Sequence, residues 1–326
     1  MKRVVITGAT SMLGIALIKR LLNSNVEKVY AVVRTYNQQQ RENKRSRIPI
    51  DSRVQLIECN MNDYGKLATL INEKCDVFYH MTWPRTATYE EDIEDILLKC
   101  DAIKCVAEAV NAAHILGCSK FIGAGSQSEY GVPSDGNYVS GMECRPIRMD
   151  GVAHLAAGQM AKLLAERLGM ICVWMRIFSV YGIYDRNNSL ISSTIENLIE
   201  GRHCAFTKAE QIWDYVHADD VAEAFYLVGE KVEKNIVYNI ASGEKRPLKE
   251  YIETIRDVVS QKAELGFGEI EYPTNPIMEM SVDILDLVTD TGWTPQICFR
   301  EGIEQIYKMR LLEGEMADAG KTGKTS

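Results

Sequence analysis

The stretch VVITGATSMLGIAL, residues 4–17, decides the fold of this chain. Its first residues are apolar and β-branched and predict a strand, and an apolar helical pattern begins after a short turn. Gly8 and Gly14 bracket that turn, and glycine permits a tight turn and close approach of the backbone to a ligand. A helix that begins there directs its free N–H groups and the positive end of its dipole at one point, which favours a bound phosphate.

The first half of the chain alternates predicted strands with helical segments. Such alternation indicates right-handed strand–helix–strand crossovers and a parallel sheet. We therefore predict an α/β fold: a Rossmann-type doubly wound parallel sheet with helices on both faces, and a smaller C-terminal α/β substrate lobe. The predicted strands are Arg3–Thr7, Val29–Val33, Val54–Glu58, Val77–His80, Phe121–Ala124 and Cys172–Ile177. The predicted helices lie near residues 12–24, 63–74, 92–117 and 152–169.

After about residue 178 the alternation is less regular, and the lobe is interleaved with the end of the sheet. The further predicted elements are helices near 189–201, from Asp219 and near 248–262, and strands at Ile236–Ile240 and Glu269–Tyr272. The predicted Rossmann domain comprises residues 1–178 plus about 211–240, and the predicted lobe comprises 179–210 and 241–313. The small, polar residues 314–326 predict a disordered tail.

Composition limits the partners of this chain. Its net charge of −8 supplies no general basic field for nucleic acid or an anionic membrane. No apolar run is long enough to span a membrane, and a strand follows Met1 so closely that a signal peptide is not expected. The nine cysteines include no Cys-x-x-Cys pair, and the five histidines show no ligand spacing with them. We expect a cytoplasmic protein with free thiols and no metal site.

The chain resembles the extended short-chain dehydrogenases/reductases, in their nucleotide-sugar epimerase/dehydratase group, over about residues 1–312. The turn of that family reads TGxxGxxG. Thr7, Gly8 and Gly14 match it, and Ser11 replaces the middle glycine, which adds a side chain where the backbone meets a pyrophosphate. The residues that the resemblance assigns to the dinucleotide at this turn are Gly8, Thr10, Ser11, Met12, Leu13 and Gly14.

Arg34 bears on the choice between the two nicotinamide dinucleotides. It ends VYAVVR, about twenty residues past Gly14, where NAD-specific members of the family carry an acid for the adenosine ribose. A guanidinium suits a 2′-phosphate, so the resemblance favours NADP, with NAD as the alternative. A plain strand-end arginine is the other reading of Arg34. The further dinucleotide contacts that the resemblance implies are Asn60, Met61, Met81 and Thr82.

The segment FIGAGSQSEYG, residues 121–131, resembles the one that carries the active-site serine or threonine of the family. Ser126 takes that position, whose role in the family is a hydrogen bond to the substrate oxygen that gains or loses a proton. The 4,6-dehydratases continue with an Asp-Glu pair, whereas Gln127 and Ser128 follow here. Neither residue is an acid/base group for elimination, so a dehydratase of that type is not expected.

The family's Tyr-xxx-Lys motif is replaced in this chain. About 24 residues past Ser126, RMDGVAH (148–154) places Asp150 and His154 at its two positions, one helical turn apart. In the family, the lysine lowers the tyrosine pKa and holds the nicotinamide ribose, while the phenol exchanges a proton with the substrate. A carboxylate accepts a proton at neutral pH but is a poor donor, and a neutral imidazole supplies no fixed positive charge.

Two readings of this pair remain open. In the first, Asp150 is a general base near Ser126, and His154 is its shuttling partner. In the second, Asp150 is only a helix N-cap and His154 fills a pocket in an inactive or redirected site. A phenol from Tyr130 or Tyr138 is a further alternative for the missing tyrosine.

The segment YGIYDRNNSL, residues 181–190, resembles the loop that leads to the nucleotide-sugar lobe of the family. Asn187 and Asn188 take positions that contact the substrate diphosphate, and a turn rich in Asn and Asp is the alternative reading. Trp213 stands where many members carry an arginine for that diphosphate, and an aromatic ring there can stack on a sugar or base. Tyr130 is the other substrate contact that the resemblance implies.

Two functions follow from the resemblance. The first is an NAD(P)-dependent epimerase or reductase that acts on a nucleotide sugar or related polyol with an atypical acid/base pair. The second is a catalytically inactive or redirected dinucleotide-binding protein, acting as a sensor or a partner subunit. A redox enzyme needs a proton donor near Ser126, and a sensor does not. Assembly as a homodimer is left open.

Overall fold

The computed structural model describes residues 1–35, 45–84 and 92–322, with side chains described as far as Glu313. The strands are β1 Arg3–Thr7, β2 Lys28–Val33, β3 Val54–Glu58, β4 Val77–His80, β5 Lys120–Ser126, β6 Asn137–Tyr138, β7 Ile171–Ile177, β8 Val180–Tyr181, β9 Cys204–Phe206, β10 Ile212–Trp213, β11 Val216–His217, β12 Ile236–Ile240, β13 Arg246–Pro247, β14 Leu265–Phe267 and β15 Ser281–Val282. The helices are α1 Met12–Leu22, α2 Leu67–Leu70, α3 Ile93–Ile115, α4 Met149–Arg167, α5 Leu190–Ile199, α6 Ala218–Lys231, α7 Leu248–Val259, α8 Leu285–Thr291 and α9 Phe299–Thr322. Short 3₁₀ segments occupy Met61–Lys66 and Gln127–Tyr130.

A parallel sheet of seven strands forms the centre, in the order β12-β7-β5-β4-β1-β2-β3. The predicted Rossmann-type sheet is confirmed, and β2, β5 and β7 extend one or two residues beyond the predicted ends. The strand order reverses between β1 and β4, where Thr7 pairs with His80. Doubly wound sheets bind their ligands at this switch point, outside the carboxyl ends of the strands.

Helices cover both faces of the sheet. On one face α1 and α6 contribute Leu17 and Phe225 to a core that includes Val4 of β1. On the other face α3 and α4 contribute Val106 and Ala161 to a second core, which also contains aromatic residues of β4 and β5. Because both faces are buried, the strands are almost continuously apolar, as is typical of parallel sheets.

The strand predicted at Glu269–Tyr272 is wrong, because the structure places a strand just before it. That strand, β14, pairs in parallel with β9. Gly268 follows it with a φ of 82°, a conformation that favours glycine, and turns the chain away from the pair. Ile270 is 50% exposed, so its apolar side chain does not indicate a buried strand.

Two further regions differ from the prediction. Residues 63–74 do not form one helix, because the 3₁₀ segment and α2 divide the stretch and Gly65 lowers its helix propensity. The chain predicted to be disordered from residue 314 continues α9 as far as Thr322. Glu, Met and Ala in that stretch favour a helix. Residues 323–326 lie outside the described residues.

A smaller lobe has its own hydrophobic core. Residues of α5, α7, α9 and the β9–β14 pair pack there, with Ile195, Tyr251 and Ile303 fully buried. A separate cluster contains Tyr130 and Phe178, close to the carboxyl ends of β5 and β7. Within the described ranges, no helix combines the length and the apolar character that crossing a membrane requires.

Candidate active site

A cleft of about 1040 Å³ opens at the carboxyl ends of β1, β2, β4 and β5. The predicted site residues that line it are Gly8, Thr10, Ser11, Met12, Arg34, Met61, Met81, Thr82, Ser126, Asp150, Asn187 and Asn188. The predicted site residues outside its lining are Leu13, Gly14, Asn60, Tyr130, His154 and Trp213. One cavity therefore contains the glycine turn, the serine and carboxylate of the predicted acid/base site, and the loop toward the lobe.

The glycine turn leaves no room for side chains at its two ends. Gly8 has a φ of 70°, and a Cβ there would lie 2.5 Å from the carbonyl oxygen of Met81. A Cβ at Gly14 would overlap the carbonyl of Gly8. Ser11 is the N-cap of α1, and its Oγ accepts a hydrogen bond of 3.0 Å from the N–H of Gly14. The serine thus replaces a family glycine without disturbing the start of the helix.

The turn presents backbone more than side chains to the cleft. The side chain of Leu13 packs against the core under α1 and does not line the cleft. The N–H groups of the first helical turn have no partner within a helix, and they suit a phosphate. The geometry therefore fits the pyrophosphate of a dinucleotide.

Arg34 lies just beyond β2, exposed to solvent and lining the cleft. The adjacent Thr35 N–H donates to Oδ1 of Asn60 at 3.1 Å, which connects the ends of β2 and β3. Asn60 thus fixes the backbone beside Arg34 and does not itself line the cleft. Met61 does line it, at the start of the 3₁₀ segment.

Buried polar groups hold the loop that follows β4. Oγ1 of Thr7 lies 3.1 Å from Nδ1 of His80 and accepts a hydrogen bond of 3.2 Å from the N–H of Met81. The hydroxyls of Tyr64 and Thr82 lie 2.8 Å apart. Complete burial lowers the pKa of His80 to about 3, so this imidazole is neutral at physiological pH.

Asp150 is not the N-cap of its helix, which corrects one of the two sequence-based readings. Arg148 is the N-cap of α4, and Asp150 lies in the first turn, where its charge is favourable to the helix dipole. Its oxygens accept from side chains instead. Nε1 of Trp83 donates to Oδ1 at 3.0 Å, and Oγ of Ser128 lies 3.3 Å from Oδ2.

Ser128 connects Asp150 to Ser126. The Oγ atoms of the two serines lie 2.8 Å apart, so two hydroxyls and a carboxylate form a continuous hydrogen-bonded chain. The N–H of Ser126 donates to Glu129 at 2.9 Å, and Glu129 also accepts from Nε of Arg176 at 2.7 Å. This buried ion pair fixes the backbone of Ser126. Ser126 and Asp150, the two ends of this hydrogen-bonded series, both line the cleft.

His154 lies behind Trp83, away from the cleft. The two rings stack with their centroids 3.5 Å apart and their planes inclined by 18°. The side chain of His154 is 8% exposed, with Nε2 at 3.9 Å from Oδ2 of Asp150. Nδ1 has no hydrogen-bond partner among the described residues. Burial lowers the pKa of His154, and the nearby charges of Asp150 and Glu129 offset only part of that shift.

Neither tyrosine that could replace the missing phenol lines the cleft. Tyr130 is buried and donates to Oδ1 of Asn239 at 2.6 Å, with the Arg176 guanidinium 4.4 Å above its ring. Burial raises the pKa of Tyr130, and it raises the pKa of Tyr138 to about 12. Both rings pack against Phe178 in a hydrophobic cluster. The described structure therefore places no phenol from these two residues beside Ser126.

On the substrate side, the loop after β8 reaches the cleft and Trp213 does not. Asn187 and Asn188 line it. Burial raises the pKa of Asp185 in the same loop, although its carboxylate accepts a hydrogen bond of 2.7 Å from Ser189. Trp213 donates from Nε1 to a serine hydroxyl at 2.9 Å and packs in the lobe, so its predicted stacking on a substrate has no support from this placement.

The site contains three residues that sequence reasoning missed: Trp83, Lys99 and Ser128. Trp83 directly follows Met81 and Thr82, which the resemblance assigns to the dinucleotide, and this position was the available signal. Lys99 lies on α3, is 4% exposed and lines the cleft. Ser128 is no acid or base, but its hydroxyl relays a hydrogen bond.

Comparison with known proteins identifies the family. The sequence model of the NAD dependent epimerase/dehydratase family matches residues 4–241. The dTDP-4-dehydro-6-deoxyglucose reductase of Escherichia coli is 26% identical over 199 residues, which cover 59% of this chain and 61% of that protein. The CDP-abequose synthase of Salmonella typhimurium is 30% identical over 140 residues, 41% of this chain and 46% of that protein. The chain therefore spans about three fifths or less of the length of these curated relatives.

Solved structures share the fold over almost the whole chain. The UDP-glucuronic acid 4-epimerase from Bacillus cereus in complex with NAD has a TM-score of 0.79 at 20% identity, over 94% of this chain and 95% of that one. RMD from Pseudomonas aeruginosa complexed with NADPH has a TM-score of 0.75 at 18% identity, over 94% and 98%. The resemblance seen in the sequence is thus confirmed, and the chain belongs to the NAD dependent epimerase/dehydratase family.

Proposed function

We propose that this protein binds a nicotinamide dinucleotide and a nucleotide sugar or related polyol in its cleft, and that it acts as an epimerase-type enzyme with Asp150 as the acid/base group. One observation carries the proposal. Asp150 and Ser126 line the same cleft as the glycine turn, and Ser128 connects them through hydrogen bonds of 3.3 and 2.8 Å.

The dinucleotide is assigned to the turn because the backbone there suits a pyrophosphate. Gly8 and Gly14 keep the turn free of side chains, and the start of α1 offers its N–H groups. Arg34 lines the cleft at the end of β2 and suits a 2′-phosphate, which supports NADP over NAD. Of the structural neighbours, one binds NAD and another NADPH. When bound, the nicotinamide supplies a hydride acceptor and donor.

Asp150 suits a reaction that first removes a proton from the substrate. Its carboxylate takes up the proton of a substrate hydroxyl by way of Ser126 and Ser128, and the protonated carboxyl returns it later. An epimerase performs both steps in one cycle, so the carboxylate is regenerated. A net reductase would need a proton donor at the start of its cycle, and a carboxylate is a proton acceptor. The chemistry of the carboxylate therefore favours epimerisation over net reduction.

The substrate is assigned to the side of the cleft that faces the lobe. Asn187 and Asn188 line it and offer amide donors to phosphate or sugar oxygens. Arg186 and Arg310 line the same cleft, and guanidinium groups favour a diphosphate. These residues support an anionic nucleotide-linked substrate.

Kinetics of Asp150→Asn test the proposal. Turnover would be measured on a panel of UDP-, dTDP-, CDP- and GDP-hexoses with NADP and NAD supplied. General-base assistance contributes about 10²–10⁴-fold, so Asp150→Asn should lower kcat by at least about 100-fold, and Ser128→Ala should lower it less. Asp101→Asn, an exposed position on α3 outside the cleft lining, is the matched control. Unchanged kcat in Asp150→Asn would contradict the role of the carboxylate.

The second candidate is a dinucleotide-binding protein without turnover, acting as a sensor or partner subunit. The contact of Trp83 with both Asp150 and His154 favours it, because the indole engages the two positions that carry the acid/base pair. Binding of a dinucleotide without turnover on any hexose of the panel would support this candidate.

We further propose that the chain forms a homodimer through the outer side of α3 and α4. These helices pack side by side, and Leu97, Val152 and Leu163 are exposed on them. Two adjacent helices that each expose large apolar side chains offer a surface that a second copy of the chain can cover. Light scattering should give twice the monomer mass, and Leu163→Glu should reduce it to the monomer mass. A monomeric parent protein at micromolar concentration would contradict the dimer.

A further inference from the structure

Trp83 lies on the β4 side of the site. It follows β4, whereas the turn follows β1, and the switch point of the sheet separates the two strands. A doubly wound sheet holds a dinucleotide across that switch point, with one nucleotide over each half. The adenosine half extends from the turn toward Arg34, and the second nucleotide extends toward Trp83 and Ser126.

A single indole ring engages both polar residues on the inner turn of α4. Its N–H donates to Oδ1 of Asp150 at 3.0 Å, and its face lies on the imidazole of His154 at 3.5 Å between centroids. Trp83 lines the cleft, whereas His154 is 8% exposed and does not. No ligand atom can reach the covered face of His154 while the rings remain in contact.

We propose that Trp83 closes the second-nucleotide end of the cleft, so that a complete dinucleotide must displace it and the adenosine diphosphate half need not. This inference rests on the proposed dinucleotide site. The adenosine half binds at the turn and Arg34, after β1 and β2, whereas the indole follows β4 on the other side of the switch point. The nicotinamide half can reach the ring face of His154 only after the indole leaves.

The contacts of the Trp83 indole determine how much free energy its displacement from the closed position requires. An aromatic stack and a hydrogen bond to a carboxylate each stabilise the closed arrangement, and their loss together weakens binding by about tenfold or more. The additional contacts of the nicotinamide half offset that cost. The net result is a dinucleotide that binds little better than its adenosine half. Trp83 is therefore a specificity-determining residue for the cofactor.

Calorimetric titration with NADPH and with 2′,5′-ADP tests this inference in the parent protein, in Trp83→Ala and in Trp83→Phe. In the parent protein the two ligands should have Kd values within about threefold of each other. Trp83→Ala should bind NADPH about tenfold more tightly and leave 2′,5′-ADP unchanged. Trp83→Phe, which keeps a stacking ring and lacks the N–H, should lie between them. NADP⁺, whose oxidised nicotinamide does not absorb tryptophan emission, should change the emission of the parent protein, 2′,5′-ADP should not, and Trp83→Phe should lose the change.

The opposite result would mean that Trp83 keeps its position when the dinucleotide binds and that the nicotinamide stacks on its indole ring. NADPH would then bind the parent protein more than tenfold better than 2′,5′-ADP, and Trp83→Ala would weaken or not alter it. That outcome overturns the inference and leaves the proposed dinucleotide site intact. If neither ligand binds to the parent protein or to Trp83→Ala, the proposed dinucleotide site is wrong, and the inference fails with it.

Discussion

The indole of Trp83 and the imidazole of His154 stack at 3.5 Å between ring centroids, and they join the loop after β4 to the first turns of α4. This pairing accommodates a histidine at the position where the resemblance to the family implies a lysine. Burial lowers the pKa of His154, so the ring is neutral and can lie beneath an apolar surface. An ammonium in the same place would lose its hydration, and the charges of Asp150 and Glu129 nearby would offset only part of that cost.

Restoration of the family's pair should fail unless Trp83 is also changed. Asp150→Tyr with His154→Lys removes the proposed acid/base carboxylate and places the new lysine beneath the indole, so hydride exchange on nucleotide sugars should fall below the parent level. Addition of Trp83→Ala opens that side of the cleft and should raise the exchange rate. Trp83→Ala alone is the control. A double variant that exceeds the parent protein while Trp83 is intact would contradict the covering of position 154.

Arg34 should set the choice of cofactor. Because its guanidinium lines the cleft at the end of β2, NADP(H) should bind more tightly than NAD(H) in calorimetric titration. Arg34→Asp repels a 2′-phosphate and accepts hydrogen bonds from ribose hydroxyls, so it should reverse the order. Arg145→Asp, at an exposed arginine outside the cleft lining, should leave it unchanged. Equal affinities in the parent protein would contradict the assignment.

Acid should destabilise the fold through His80. The pKa of His80 is about 3 in the folded chain and 6.5 in the unfolded chain. As the pH falls, the unfolded chain therefore binds a proton at a higher pH than the folded chain does. The contribution of His80 to the free energy of unfolding is therefore fully present above pH 6.5. Below that pH the free energy of unfolding falls by about 1.4 kcal/mol per pH unit toward pH 3. His154 and His217 shift in the same direction.

Urea unfolding between pH 7 and pH 4 measures this dependence. His80→Asn should reduce the slope, because asparagine does not titrate and can still hydrogen-bond to Thr7. His114→Gln, at an exposed position on α3, should not alter it. A slope that is identical in the parent protein and His80→Asn would contradict the buried neutral imidazole.

Ser11 should act on stability as a helix cap. Its Oγ accepts from the N–H of Gly14 at 3.0 Å, so Ser11→Ala should lower the free energy of unfolding by about 1 kcal/mol. Ser11→Gly should cost only a few tenths, since glycine is also tolerated at an N-cap. Thermal unfolding of both variants checks the order. Equal losses would mean that the hydroxyl does not cap α1.

The sequence predicts those features of the fold that local residue patterns determine. The sheet and the turn at Gly8 follow from apolar runs and glycine spacing, which act over a few residues. The contacts of Trp83 with Asp150 and His154 depend on the packing of segments distant in the sequence, and no local pattern encodes them. Tyr130 illustrates the same limit. It follows Ser126 closely in the sequence, but its hydroxyl is directed to Asn239 of β12.

The most direct test is rapid mixing of the dinucleotide-loaded protein with nucleotide hexoses, followed by the absorbance of reduced nicotinamide. If Asp150 removes the substrate proton, at least one hexose of the panel should produce a transient of reduced nicotinamide, and Asp150→Asn should slow it by about 100-fold or more. No transient with any hexose, although the dinucleotide and the hexose bind, would contradict the enzymatic account and favour a binding protein without turnover.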